Sequence, residues 1–335
     1  MNILTANKEV KPRIGWIDVA KGLCMVAVIF SHVPMKPQGT EPFIQSWFLA
    51  GFFFISGFLF LNPDKKTNVA QKYVNIITSI FVPYISYWFI SYGVEQCLKG
   101  NGTFVNDWLS AVSGGGKLWF VSALFVSELI TLTYLWITRF HKCLIYIYPI
   151  LSITVYFVLP VGDYPWYFRA SLLTNFYLGI GMIARIHQTK VIQPLLETKR
   201  VMAMLLALFA IMVTMDILYI HNVGSFNYDF SCYSFFIAET LVSVPLLVSL
   251  SNLWKKYNRL ILFIGQSSLL YYFFQHQAYM AIDKLLHILG ITEPSLFWAI
   301  VEMAGTVIVL IIPILIVNKW MPFMSGKLRF KLKTK

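Results

Sequence analysis

The sequence predicts an all-α, polytopic membrane protein of about ten transmembrane helices with both termini in the cytoplasm. Three observations carry that prediction. The 335-residue chain is 58% hydrophobic and only 13% charged, whereas a soluble domain is about 45–50% apolar and about 25% charged. Its apolar residues gather in runs of roughly 18–25, each long enough to cross about 30 Å of hydrocarbon. Its cations are also sorted. When ten spans are threaded from a cytoplasmic N-terminus, only Lys36, Lys99, Lys117, Arg169 and Lys284 fall outside. Lys21 falls within a span, and every other Lys and Arg lies in an inner segment.

The runs follow in order. The first, about 15–34, contains Asp18, Lys21 and His32, and the second, 42–61, is rich in phenylalanine. The third, 73–97, follows a loop with Lys65, Lys66 and Lys72, and the fourth, 118–138, carries Glu128 mid-span. The fifth and sixth, 142–160 and 169–186, are separated by a turn, because Pro160 and "GDYPWY" (162–167) interrupt a helix. The seventh, 201–221, has Asp216 near its outer end, and the eighth, 230–251, has Glu239 mid-span. The ninth, 260–281, and the tenth, 297–318, carry His276 and Glu302 near their outer ends. A single integral-membrane domain thus occupies residues 1–335, with short cytoplasmic tails at about 1–13 and 320–335.

The net charge of +12 does not point to nucleic acid, because the basic loops serve to hold orientation against the cytoplasmic leaflet. The tail "KLRFKLKTK" (327–335) reads as such an anchor to membrane lipids. The first run is not a cleaved signal peptide, since it carries charge and "SHVPMKPQG" lacks a small-x-small site. Cys24, Cys97, Cys143 and Cys232 show no metal spacing, so no metal is expected. They read as ordinary helix residues, with a Cys97–Cys232 disulfide at the outer face as the alternative. "NGT" (101–103) matches a glycosylation pattern that is common by chance. "SGGGK" (113–117) lacks the spacing of a phosphate loop and reads as a flexible or re-entrant segment.

Ionisable groups in an apolar run are costly, so those of the first run need a reason. On a helix, 11 residues turn through about 1100°, which leaves Lys21 and His32 within about 20° of each other and about 16 Å apart along the axis. The stripe is Asp18, Lys21, Met25, Val28 and His32, and Asp18 is placed to pair with Lys21. Such residues face a bundle interior or a water-filled path. The plainer reading makes Asp18–Lys21 a structural pair with Lys21 snorkelling, and His32 a cap before Pro34. Glu128, Glu239, His276, Glu302 and Asp216 on other spans favour a shared polar chamber over scattered interhelical hydrogen bonds.

Several stretches carry a resemblance. "RIGWIDVAKGLCMVAVIFSH" (13–32) resembles the first helix of the acyltransferase type 3 family, where a basic residue, ten residues and a histidine recur; Lys21 and His32 fit, with Asp18 and Gly22 beside Lys21. "FLAGFFFISGFLF" (48–60), "VPY" (82–84), "KLWFVSALF" (117–125) and "SSLLYYFFQH" (267–276) resemble later family segments in the right order. The overall flavour is closest to fucose 4-O-acetylase-like and exopolysaccharide acetyltransferases. One departure stands out: members often carry arginines before Pro-Tyr, whereas this chain has "KYVNIITSIFVPY" (72–84), with Lys72 as the only base and Ser79 where arginine is frequent.

The resemblance implies a multi-pass O-acetyltransferase of the bacterial cytoplasmic membrane, taking acetyl from cytoplasmic acetyl-CoA to a hydroxyl of a surface-polysaccharide or lipid-linked sugar. Acyl transfer to a hydroxyl needs a base and donors for the oxyanion. A histidine with an unperturbed pKa near 6.5 suits the base. His32 is the expected catalytic residue, either deprotonating the hydroxyl or carrying the acetyl group. Lys21 either contacts the anionic donor or pairs with Asp18. Glu128, Glu239, His276 and Glu302 are candidates for orienting His32 or binding sugar hydroxyls. Trp119 and Trp166 either stack on a sugar or belong to an interfacial aromatic belt. A proton-coupled transporter is the alternative function, although no internal repeat is evident.

Overall fold

The computed structural model describes residues 15–37, 40–63, 67–99, 118–162, 164–220, 230–254, 258–328 and 330. Their regular structure is helical throughout. The chain runs α1 (Gly15–His32), α2 (Glu41–Gln45), α3 (Phe48–Phe60) and α4 (Val69–Ile76). A π-helical turn (Ile77–Phe81) leads into α5 (Val82–Lys99). There follow α6 (Trp119–Ile137), α7 (Lys142–Val158), a 3-10 turn (Pro165–Tyr167) and α8 (Phe168–Ile186). Next come α9 (Gln188–Glu197), α10 (Lys199–Met215) with a π turn (Asp216–Ile220), and α11 (Phe230–Trp254). The chain then forms α12 (Arg259–Gln266), α13 (Ser268–Ile288), α14 (Leu296–Val309) and α15 (Ile311–Trp320).

Among the described residues, seven helical stretches are long and apolar enough to span a membrane. These are Gly15–His32, Phe43–Phe60, Val69–Ser91, Trp119–Ile137, Lys199–Leu218, Ser234–Leu253 and Leu296–Trp320. The three other expected runs are helical too. However, α7 has 17 residues, and α8 and α13, with 19 and 21 residues, carry more polar side chains. Ile150, Leu206, Ile211, Ile308 and Ile312 are exposed on the outer surfaces of α7, α10, α14 and α15, the apolar girdle that lipid covers in a membrane protein.

The break expected between the fifth and sixth runs is present: α7 stops at Val158 and α8 starts at Phe168. Elsewhere the continuous runs are interrupted. Residues 73–97 and 201–221 contain π turns, which widen the helix by one residue per turn. The ninth run breaks at Ser267 and continues to Ile288, and the tenth breaks at Leu310. Helix α9 answers to none of the ten runs. Asn68, Asn258 and Ser295 cap the starts of α4, α12 and α14 by accepting from Gln71 N, Ile261 N and Trp298 N, which satisfies orphan N–H groups at each end. Residues 100–117 of the proposed outer loop, the glycosylation match within it, and the side chains of Cys97 and Cys232 lie outside the described residues; Cys24 and Cys143 are free thiols.

Helix α1 is the hub. It packs against α3, α11, α12, α13 and α14, and Trp16, Val19, Ala20, Cys24, Met25 and Ile29 are buried along it. Two seams bring backbones into direct contact. A Cβ at Gly22 would stand 2.2 Å from the Ile261 carbonyl oxygen, and one at Gly265 would stand 1.7 Å from that of Asp18. Likewise, a Cβ at Gly57 would meet Leu178 O at 1.9 Å and one at Gly181 would meet Phe54 O at 2.1 Å. Only glycine permits such approaches, and membrane helices gain packing from them.

Candidate active site

The stripe read from the sequence opens onto one cavity. Lys21, Met25, Val28, Ser31 and His32 of α1 line a space of about 510 Å³. Its remaining walls come from α2, α3, the π turn after α4, α6, the 3-10 turn, α8 and α13. Two ends can be told apart. Near the start of α1, Asp18 Oδ2 accepts from Gln266 Nε2 at 3.2 Å, so the Lys21 end adjoins Ser268 at the start of α13. Ser56 and Ser79 also line the cavity. Glu128 on α6 interacts electrostatically with both Lys72 and Lys21, so charges from α1, α4 and α6 gather at this end. Lys72 Nζ also donates to Phe60 O at 3.0 Å and lies 4.0 Å above the Phe60 ring.

The other end holds His32, with Gln45, Phe48, Trp119 and Tyr167 among the lining. His32 is exposed, and its ring faces this space. Its Nδ1 lies 2.7 Å from Val28 O and 3.0 Å from Ser31 Oγ. A carbonyl oxygen only accepts, so Nδ1 carries the hydrogen and donates it. The lone pair is then on Nε2, which fixes the tautomer through a hydrogen bond to the helix itself. Ser31 Oγ donates to the same Val28 carbonyl at 2.7 Å, and Lys36 Nζ donates to Ser31 O at 2.7 Å, capping the last turn. Three residues beyond His32, the chain is clasped by α14 and its N-cap: Glu302 Oε2 accepts from Met35 N at 3.1 Å and Ser295 N donates to Met35 O at 3.1 Å.

The single chamber expected to gather all the acids is not formed. Glu128, Glu239, His276 and Glu302 are all absent from the cavity wall, although Glu128 interacts electrostatically with a wall residue, Lys21. Glu239 and Glu302 sit on α11 and α14, which pack behind α1. Glu239 is fully buried beside Asp216, whose charge it feels. Glu302 is fully buried at the Met35 clasp. His276 lies one turn beyond the lining residue Tyr272 and bonds through Nδ1 to the Tyr279 hydroxyl. Trp119 lines the cavity, whereas Trp166 packs among Phe81, Tyr84 and Phe125. Sequence reasoning passed over Lys72, which sits in the electrostatic cluster, and Ser79, which the π turn places in the wall. It also missed Tyr167, Gln45 and Ser268; the serines and the tyrosine stood in quoted family segments or turns, but nothing in the spacing assigned them a face.

Residues 14–317 match the family described as "Acyltransferase domain". The chain belongs to the acyltransferase type 3 family. No curated protein matches it, and no solved structure does. This acyltransferase is therefore a polytopic helical membrane enzyme that transfers acyl groups. Its family motif of a basic residue, ten residues and a histidine corresponds to the two ends of the cavity, Lys21 and His32.

Proposed function

We propose that the acyltransferase takes an acetyl group from cytoplasmic acetyl-CoA and transfers it to a hydroxyl of a surface-polysaccharide or lipid-linked sugar. The acceptor class resembles that of fucose 4-O-acetylase-like enzymes. The observation that carries this reading is the cavity itself, with Lys21 at one end and His32 at the other on one helical face. In this reading ten helices cross the bacterial cytoplasmic membrane, both termini are cytoplasmic, and the Lys21 end faces inward. Lys21 and Lys72 attract the anionic donor, while Glu128 keeps them oriented. His32 Nε2, left unprotonated by the Nδ1 hydrogen bond, either removes the acceptor hydroxyl proton or receives the acetyl group. As the proton arrives, the imidazolium is stabilised by its Nδ1 bond to Val28 O, a charge-assisted bond once the ring is cationic.

The test is surface-polysaccharide O-acetylation in a deletion strain complemented with wild type or His32→Ala at matched membrane levels. Wild type restores acetyl esters and His32→Ala does not. Full restoration by His32→Ala refutes the mechanism. If wild type itself changes no ester, proton-coupled transport becomes the better reading; the buried Asp216–Glu239 pair is the feature that favours it.

A further inference from the structure

The backbone entering α8 is strained, as it is at Arg139 and Phe140 before α7. Trp166 (φ 57°, ψ 24°) and Tyr167 (φ 52°, ψ 39°) are consecutive left-handed residues, and neither is glycine. Such residues persist only where their surroundings over-determine them. Those surroundings are visible. The Trp166 ring is wedged among Phe81, Tyr84 and Phe125, with ring centroids 6.0, 5.9 and 5.7 Å away. The buried Arg169 donates from Nε to Leu159 O at 3.4 Å and from Nη1 to the Tyr156 hydroxyl at 3.3 Å, with its guanidinium 4.2 Å over the Tyr156 ring. This ties α8 to the C-terminal end of α7 and closes the turn between them.

The result of this strain is the placement of one ring. Tyr167 lies in the cavity wall with Trp119, their centroids 6.3 Å apart and their planes 56° apart. Gln45, Ser31 and His32 complete that end of the cavity. An aromatic pair beside an amide, a hydroxyl and an imidazole matches a pyranose, which has apolar C–H faces and a rim of hydroxyls. An acyl chain or polyprenyl tail needs no such polar rim.

We infer that Trp119 and Tyr167 form the acceptor subsite and hold a sugar ring so that one of its hydroxyls faces His32. This rests on reading the cavity as the acyl-transfer site. The left-handed Tyr167 is the positioning element, since a right-handed backbone there would carry the ring elsewhere.

The test reads binding without requiring acyl transfer. Purified protein in lipid nanodiscs is treated with diethyl pyrocarbonate, and carbethoxylation of His32 is followed by peptide mass spectrometry, with the exposed His141 as internal reference. The probes are a panel of methyl hexopyranosides and methyl 6-deoxyhexopyranosides, with farnesol as the apolar comparison. At least one glycoside slows His32 modification in wild type and in Tyr167→Phe. In Tyr167→Gly and Trp119→Leu the glycoside concentration needed rises about 2- to 10-fold, the range for losing one aromatic partner. Glycine accepts the left-handed backbone, so Tyr167→Gly removes the ring and leaves the turn intact. Three results overturn the proposal: no glycoside protects wild type, protection survives unchanged in Tyr167→Gly, or farnesol protects and the glycosides do not. Failure of wild type to restore acetyl esters in vivo, without any of these results, overturns the proposed function instead.

Discussion

Replacing Gly265 by alanine tests whether α1 is held in place by backbone contact. The added Cβ would stand 1.7 Å from Asp18 O, 2.8 Å from Asp18 C and 2.9 Å from Gly22 N. Packed Cβ atoms do not come nearer than 3.0 Å, so α1 and α12 must part by about 1.3 Å along the closest line. Overpacking typically costs about 1–3 kcal/mol. Here the obstacle is backbone on every side, with no side chain free to turn away, so the expected loss is at the upper end, about 3 kcal/mol. The displacement also reaches Asp18, which is bonded to Gln266. Gly93→Ala is the control: nothing lies within 4 Å of its added Cβ, and alanine is favoured over glycine in a helix by up to about 1 kcal/mol. Thermal unfolding in detergent, followed by the monodisperse fraction on gel filtration, reads both variants. Gly265→Ala melts well below wild type, while Gly93→Ala melts at or above it. If Gly265→Ala melts with wild type, or if both fall equally, the close seam is not what holds α1.

Three further outcomes follow from single contacts. Glu302→Gln keeps an oxygen for the Met35 N–H and retains stability and acyl transfer, whereas Glu302→Leu orphans that buried donor at a cost of about 1–3 kcal/mol; equal melting temperatures for the two variants would contradict the clasp. Lys72→Ala raises the KM for acetyl-CoA with kcat little changed, and Lys72→Arg restores it; an unchanged KM in a steady-state thiol-release assay removes Lys72 from the donor end. Glu239→Gln raises the melting temperature, because both Glu239 oxygens are buried without a hydrogen-bond partner among the described residues and sit beside the like charge of Asp216; a fall shows that the pair holds the bundle together.

The parts of the site legible in the sequence share one cause. The helical period fixes the angles among residues of one helix whatever it packs against, so the face of Lys21, Met25, Val28 and His32 follows from spacing alone. The position of Glu128, Glu239 and Glu302 inside helices was equally legible. Their azimuth was not, because the rotation of one helix against another is set by contacts such as the Gly57 and Gly181 seam, which no local pattern announces. Ser79 reaches the wall through a π turn, and Tyr167 does so through a left-handed turn without the glycine that usually signals one. Helix α9 is short and amphipathic, with Ile192 its buried contact, so a search for long apolar runs passes over it. The topology, in short, was carried by hydropathy, and the convergence of side chains was carried by packing.

The central place of α1 has a consequence in time. Its Asp18 is bonded to Gln266, 248 positions later in the chain. At synthesis rates of about 5–20 residues per second, about 12–50 s pass between the making of the two. Throughout that interval α1 resides in the bilayer without α12 or α13, although it is the least apolar of the seven membrane-length stretches. An isolated charge near the bilayer centre costs about 2.5–3.5 kcal/mol even on the lenient scale. Asp18 and Lys21 lie one turn apart on that helix, and mutual neutralisation at this spacing would lower the cost of its insertion. Severing that pair would first appear as a failure of insertion, seen in pulse-chase topology mapping before any loss of catalysis. The later half of the chain then serves as the solvent in which its first helix finally dissolves.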